Sequence, residues 1–465
     1  MKNSTIISLN RDLSNKTIIP QKIYDTSLLN LKKINKDFNC SLRTVPFCHF
    51  NNSNSLLNGI VYSLKDNIAT KDIVTTGGSL FLKEYIPKYD AFVKKTLDEA
   101  GAICLSKDNL DEFGLGGTGT YSAYGIVPNP FDKTRIAGGS SSGSSVMVSK
   151  KIVTFAIATD TGDSIRKPAS FQGIVGFKPS YGAISRYGVF PYAPSLDHVG
   201  ILANSVLDIA IVYSTLAKQD KHDMTSINLS NDYFSKIQET NIERFKLVLL
   251  KDAYNYMNKQ EKKEFDKYLS KLKTNFEIHE IDFGLDLLSM ISSIYRSLSY
   301  SEAASCWSNL TGLLFGECEN GNNFQDIAIK SRTNLFGKQL KQRFVIGAYV
   351  TSRENFENIF LKSKSIRTLI IERAKAIFED YDAFILPGAS SIAPLIDDVL
   401  KNNSSDNICD DALQIANFAG LPSITIPAIS VNKLPLGINI TADYKQDLKV
   451  LKIAYAIEKI GAKID

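Results

Sequence analysis

The sequence predicts an α/β fold, a sheet covered by helices on both faces. Three observations predict it. Short apolar runs of strand character alternate with longer helical patterns through the N-terminal quarter and again after residue 204; such alternation is the pattern of a helix-covered sheet. Between these regions, residues 114–200 are crowded with Gly, Ser, Thr and Pro in the runs GLGGTGT, GGSSSGSS, TDTGDS and FKPSYG. The chain of 465 residues is 44% hydrophobic and 22% charged, and its longest apolar runs fall well short of the ~20 residues of a membrane span. An integral membrane protein and a disordered chain are both excluded. Length by itself suggests about three domains of ~150 residues, and a chain this long buries a large core without staples.

The elements follow in order. Residues 1–20 are polar, with Lys2, Arg11, Asp12 and Lys16. They lack the roughly 7–15-residue apolar core of a secretory signal, and one Arg beside Asp12 makes a poor mitochondrial presequence; an organellar address stays open. Leu28, Leu29, Leu31 and Ile34 fall near helical spacing and predict a helix over 26–38. The polar stretch 51–58 separates it from a strand over 60–64 that ends at Lys65. A helix over 94–100 leads to a short strand over 102–105. The Gly- and Ser-rich centre reads as loops carried on short strands such as 154–158, a texture that often holds a site. Helices are then expected over 208–217, 261–276 and 356–378. Strands are expected over 245–250, 384–386, 423–427 and 436–440. Residues 402–407 (NNSSDN) read as a polar loop.

Net charge and cysteine usage narrow the class. Fifty-four basic against 49 acidic residues leave +5, too weak and too dispersed for a dedicated nucleic-acid surface. The cysteines (Cys40, Cys48, Cys104, Cys306, Cys318 and Cys409) show no CxxC spacing, and there are four histidines. A zinc ribbon or a disulfide scaffold does not fit, and a reducing compartment does.

Three glycine motifs mislead. Gly114, Gly116 and Gly119 satisfy GxGxxG, but residues 108–113 intervene after the nearest strand and no helix is expected over 121–130. Gly139, Ser141 and Gly143 satisfy GxSxG, yet NPFDKTRIA precedes them where a nucleophile elbow needs a strand. The histidine of such a triad could only be His198, His222 or His279, and the last two lie in polar or alternating segments. Gly143, Ser144 and Ser145 lack the lysine of a phosphate loop.

A serine nucleophile then needs another base. A lysine can serve if burial keeps it neutral, because desolvation disfavours the charged amine. Lys65 follows the apolar run Gly59-Ile-Val-Tyr-Ser-Leu64 and is the candidate.

At this point the residues carry a resemblance. YSLKDN (62–67), IAGGSSSGSSVMV (136–148) and TDTGDSIRKPAS (159–170), in this order and spacing, resemble the signature of the amidase signature family. The resemblance runs from about residue 57 to the C-terminus. It implies a single compact domain, 56–465, around a mixed twisted sheet, preceded by an N-terminal helical segment, 1–55. It implies a Ser-Ser-Lys triad: Ser164 as nucleophile, and Ser140, expected at a cis peptide bond, bridging it to neutral Lys65. An oxyanion would be held by main-chain N–H groups from about Thr161 through Gly162 to Asp163; such donors each contribute ~3–4 kcal/mol. Asp66 and Asn67 are expected to orient the lysine, and Arg166 to brace the loop. One departure stands out. The family pattern is Thr-Gly-Gly-Ser, and Asp163 replaces the second glycine, bringing a carboxyl beside the developing oxyanion.

Within that family, residues 110–132, 176–200, 301–312, 336–349 and 417–427 resemble the glutamine-hydrolysing subunits of tRNA-dependent amidotransferases. That resemblance implies glutaminase activity. Ammonia would pass to a partner, the B subunit of the amidotransferase, for conversion of Glu-tRNA(Gln) to Gln-tRNA(Gln). ATP and Mg²⁺ would sit on that partner, no cofactor on this chain, with a small third subunit, tRNA reached through the complex, and no membrane. The bacterial cytoplasm is the expected compartment, with the mitochondrial matrix as alternative. Glutamine's α-carboxylate suits a planar Arg, and by resemblance Arg343 takes it, Asp410 takes the α-ammonium, and Tyr295 lies near. Gly116, Gly117 and Thr118 would line the amide pocket. A free-standing amidase of another small amide, or a structural subunit impaired by Asp163, are the alternatives. His198 reads as a structural hydrogen-bonder on a loop.

Overall fold

The computed structural model describes residues 5–47, 53–239, 245–401 and 407–461. The strands β1 (Ser41–Thr44), β2 (Val61–Lys65), β3 (Ile103–Asp108), β4 (Phe155–Asp160), β5 (Val175–Lys178), β6 (His198–Ala203), β7 (Lys246–Leu250), β8 (Glu277–Ile281), β9 (Ala383–Pro387), β10 (Ser423–Val431) and β11 (Leu434–Ala442) form one sheet. Their spatial order is β1-β3-β2-β4-β6-β5-β10-β11-β9-β7-β8. β2 runs parallel to β3 and β4, and β7 parallel to β8 and β9. The remaining pairs are antiparallel, so the sheet is mixed, as expected.

Both faces are covered, and the two-residue period of a strand shows it. Leu247 and Leu249 of β7, with Ala383 and Ile385 of β9, join a core shared with the helices Pro20–Phe38, Val206–Leu216 and Asp447–Ile460. Val248, Leu250, Phe384 and Leu386 point the other way, onto the helices Leu285–Cys306, Lys338–Val350 and Lys362–Ile377. In the centre, every residue of β2, β3 and β4 is buried. Those three strands are read as short apolar runs because both of their sides face protein. β2 ends at Lys65, as expected, and β3 and β4 run further than expected, through polar residues at their carboxyl ends: Ser106, Lys107 and Asp108 in one, Thr159 and Asp160 in the other. Ends of strands in such sheets are where sites form.

The N-terminal segment is helical over Ile6–Ser14 and Pro20–Phe38, then adds β1 to the sheet edge against β3. The expected helix over 356–378 divides into a π-turn segment, Phe356–Leu361, and the helix Lys362–Ile377. The expected polar loop 402–407 lies outside the described residues except for Asn407, whose side chain caps the short helix Ile408–Asp411. No helix among the described residues is long and apolar enough to cross a membrane.

Candidate active site

Lys65 ends β2 with its side chain fully buried. Its Nζ lies 2.7 Å from Ser140 Oγ, 2.9 Å from Ser141 Oγ and 2.9 Å from Thr159 Oγ1. No carboxylate lies within ion-pair distance of it among the described residues. Burial pushes its pKa down to about 7, against the weaker pull of Asp111, Asp160 and Asp197. A neutral amine at physiological pH can accept a proton. Ser140 follows a cis peptide bond after Gly139, as expected. The helix Ser142–Ser149 begins just beyond, and Ser144 Oγ anchors it by donating 2.9 Å to the buried Asp108. Asp108 also accepts from Ser63 and Ser106, and burial pushes its pKa up to about 7.

Ser164 is nearly buried, and its carbonyl accepts the N–H of Ser141 at 3.3 Å. No hydrogen bond joins the Ser140 and Ser164 hydroxyls; catalytic contacts of this kind are often loose without substrate. The N–H groups of Thr161, Gly162, Asp163 and Ser164 donate to no described residue. This leaves a row of main-chain donors of the sort that stabilises an oxyanion. Thr161 Oγ1 is turned away, donating 2.7 Å to Asp197. A Cβ on Gly162 would come within 2.9 Å of the Tyr295 ring, so a side chain there would require the ring to shift.

Arg166 braces this loop, as expected. Its guanidinium forks onto Asp160 with two contacts of 3.1 Å, and reaches the carbonyls of Gly162 (2.6 Å) and Leu413 (2.7 Å). A buried bidentate pair fixes geometry as well as charge. Burial pushes the Asp160 carboxyl up, and Arg166 overrides it, holding the pKa well below the carboxylate range.

One cavity of about 400 Å³ gathers every substrate-binding residue expected from sequence: Gly116, Gly117, Thr118, Tyr295, Arg343 and Asp410. Gly162 and Asp163 also line it, which places the oxyanion loop on its wall. Arg343 forms no ion pair with a described residue; it stacks on the Tyr300 ring at 5.1 Å. Asp410 has one oxygen on the N–H of Ser390 (2.6 Å) and the other 3.4 Å from Lys167. Asp163 pairs with the same Lys167 at 3.0 Å.

Three residues that hold the site together escaped the sequence reading. Ser141 and Thr159 complete the hydroxyl shell of Lys65. Asp111, fully buried, gathers the N–H groups of Thr118 (3.2 Å), Gly119 (3.1 Å) and Tyr121 (2.9 Å) into the cavity's glycine loop. A Cβ on Gly116 or Gly139 would strike the Asp111 carboxylate at 2.2 Å, which is why both are glycine. An acidic residue placed just before a glycine-rich run was the available signal.

Two expectations are corrected. Asp66 does not orient Lys65: its carboxylate takes the N–H and hydroxyl of Thr76 and lies 3.5 Å from Lys107. Asn67 does act on Lys65, but through Thr159 Oγ1, to which it donates at 3.1 Å. His198 is not on a loop. It opens β6 opposite Asp160, buried, with Nδ1 2.6 Å from the Leu196 carbonyl. Its role as a structural hydrogen-bonder stands.

Known proteins resemble this chain over most of its length. Residues 45–451 match the family model described as Amidase. The A subunit of the glutamyl-tRNA(Gln) amidotransferase of Mycoplasma genitalium is 46% identical, with 98% of each chain aligned. Its counterpart from Sulfolobus acidocaldarius is 33% identical over 89% of this chain and 87% of its own. The crystal structure of the same subunit from Thermotoga maritima superposes with a TM-score of 0.82 at 29% identity, over 96% of this chain and 92% of that one. The family model matched over most of the chain and the identity to these subunits lead to one conclusion: the chain belongs to the amidase family.

Proposed function

We propose that this chain is the glutaminase of a tRNA-dependent amidotransferase. It hydrolyses glutamine and delivers ammonia to a partner subunit, which converts Glu-tRNA(Gln) to Gln-tRNA(Gln). The observation that carries the reading is Lys65. It is a buried amine with no counter-ion in contact among the described residues, 2.7 Å from Ser140, while Gly162 and Asp163, just before Ser164, wall a cavity presenting Arg343 and Asp410. Glutamine carries a carboxylate and an ammonium at its backbone end, and a cation and an anion facing one cavity suit both.

The chemistry follows from these positions. Ser164 Oγ attacks the side-chain carbonyl carbon while its proton passes through Ser140 to Lys65. The oxyanion falls against the N–H groups of residues 161–164. The C–N bond breaks as the proton returns to the amide nitrogen, and ammonia leaves a γ-glutamyl ester on Ser164. Water, losing a proton along the same route, cleaves the ester and releases glutamate. ATP and Mg²⁺ chemistry is assigned to the partner, and a third small subunit completes the complex.

Asp163 favours a second reading, a structural subunit with impaired chemistry, and its pairing with Lys167 counts against it. The test is transamidation of Glu-tRNA(Gln) by the assembled complex, with glutamine or ammonia as donor. Ser164→Ala is expected to abolish glutamine-supported activity and keep ammonia-supported activity. Equal glutamine-supported rates in variant and wild type would sink the reading. Rapid amide turnover by the isolated chain would favour a free-standing amidase.

A further inference from the structure

Asp163 stands where a second glycine was expected, beside the donors for the oxyanion. A carboxylate a few ångströms from a developing negative charge opposes it, and does so strongly where water is excluded. The structure answers this charge locally. Lys167 lies one turn on, in the first turn of the helix Arg166–Gln172. Its ammonium reaches back 3.0 Å to Asp163 Oδ2 and across 3.4 Å to Asp410 Oδ2. The Lys167 N–H also binds the Asp163 carbonyl at 2.9 Å, so the main chain sets the distance between the two side chains. All three side chains are largely buried and line the substrate cavity. Asp410 is held from its other side by the N–H of Ser390 at 2.6 Å.

We propose that Lys167 is a positioning residue that couples the oxyanion loop to the substrate's ammonium site. It cancels the charge of Asp163 and turns that carboxylate toward itself, while moderating Asp410 so that the substrate ammonium is bound without excess negative charge in the cavity. The inference rests on the glutaminase reading. Its two halves make opposite demands on kinetics. Removing Lys167 leaves two carboxylates facing the cavity: the oxyanion is opposed and kcat falls, while the ammonium is bound as well as before or better. Removing Asp163 alone leaves Lys167 to Asp410: the oxyanion gains, but the ammonium meets a competing cation and KM rises.

The test measures glutamine hydrolysis by the assembled complex for Lys167→Met, Asp163→Gly and the double variant, with ammonia-supported transamidation as a check of intact assembly. Lys167→Met is expected to lower kcat about ten- to a hundredfold with KM unchanged or lower. Asp163→Gly should keep or raise kcat and raise KM several-fold. The double variant should recover most of the lost kcat, which a merely structural lysine would not allow. A double variant as slow as Lys167→Met overturns the proposal, as does an unchanged kcat in Lys167→Met. If Lys167→Met loses ammonia-supported activity as well, Asp163→Gly decides: a raised KM supports the proposal and an unchanged one overturns it. A wild-type complex that hydrolyses no glutamine would instead overturn the glutaminase reading itself.

Discussion

Lys65 and Lys107 lie at the ends of neighbouring parallel strands and are equally buried, but their surroundings differ in kind. Lys65 meets the hydroxyls of Ser140, Ser141 and Thr159. Lys107 lies 3.5 Å from the Asp66 carboxylate and also donates to the Ile68 carbonyl and to Thr70 and Thr75. Burial lowers the pKa of both, to about 7 at Lys65, while Asp66 works against it at Lys107. A carboxylate accepts only, and so favours the cation; a hydroxyl can accept from an ammonium or donate to an amine. The partner shell, more than depth, separates a lysine that braces the fold from one that can exchange a proton.

The largest test of this contrast makes Lys65 a permanent cation. Lys65→Arg is expected to lower glutamine-supported kcat by about a thousandfold or more, since a guanidinium does not release its proton. Ammonia-supported transamidation in the same complex should persist, and loss of both would mean the change disturbs the fold. Lys107 is tested through its partner. Asp66→Ala leaves a buried amine without its counter-ion, which costs about 3 kcal/mol or more of stability by denaturant unfolding. The glutaminase rate per folded molecule should stay near wild type, and a collapse of kcat without loss of stability would erase the distinction.

The smallest effect sharpens the hydroxyl argument. In wild type, kcat/KM should rise with pH through about 7 as Lys65 loses its proton. Thr159 Oγ1 accepts from both Asn67 and Lys65, so it favours the protonated amine. Thr159→Val should therefore shift this acid limb to lower pH and slow the reaction about five- to tenfold. A pH–rate profile whose limb stays in place or moves upward contradicts the assignment.

Lys65, Ser140 and Ser164 were legible because each sits in a motif whose residue types the chemistry demands. The supporting residues were not, because their roles depend on who meets whom in space. Asp111 and Asp66 look alike on paper, yet one gathers a glycine loop and the other neutralises a lysine. The fold shows the same limit. The strand β10 was expected over 423–427. The chain instead continues to Val431, with Pro427 at a register shift against β11, where a missing donor is tolerated. The helix Leu285–Cys306 went unread because its many serines, poor helix formers in isolation, hide a face that packs on Phe344 and Ile370.

Arg166 ties the nucleophile's loop to Leu413 and Asn417, partners 247 and 251 positions further along the polypeptide. A growing chain on the ribosome already holds its lysine and both serines long before those partners emerge. Until they do, the guanidinium lacks half its anchors and the donor row stays unbraced. A chain made only as far as residue 412 therefore carries its nucleophile on a loosely tied loop, braced once Leu413 and Asn417 have been added and packed.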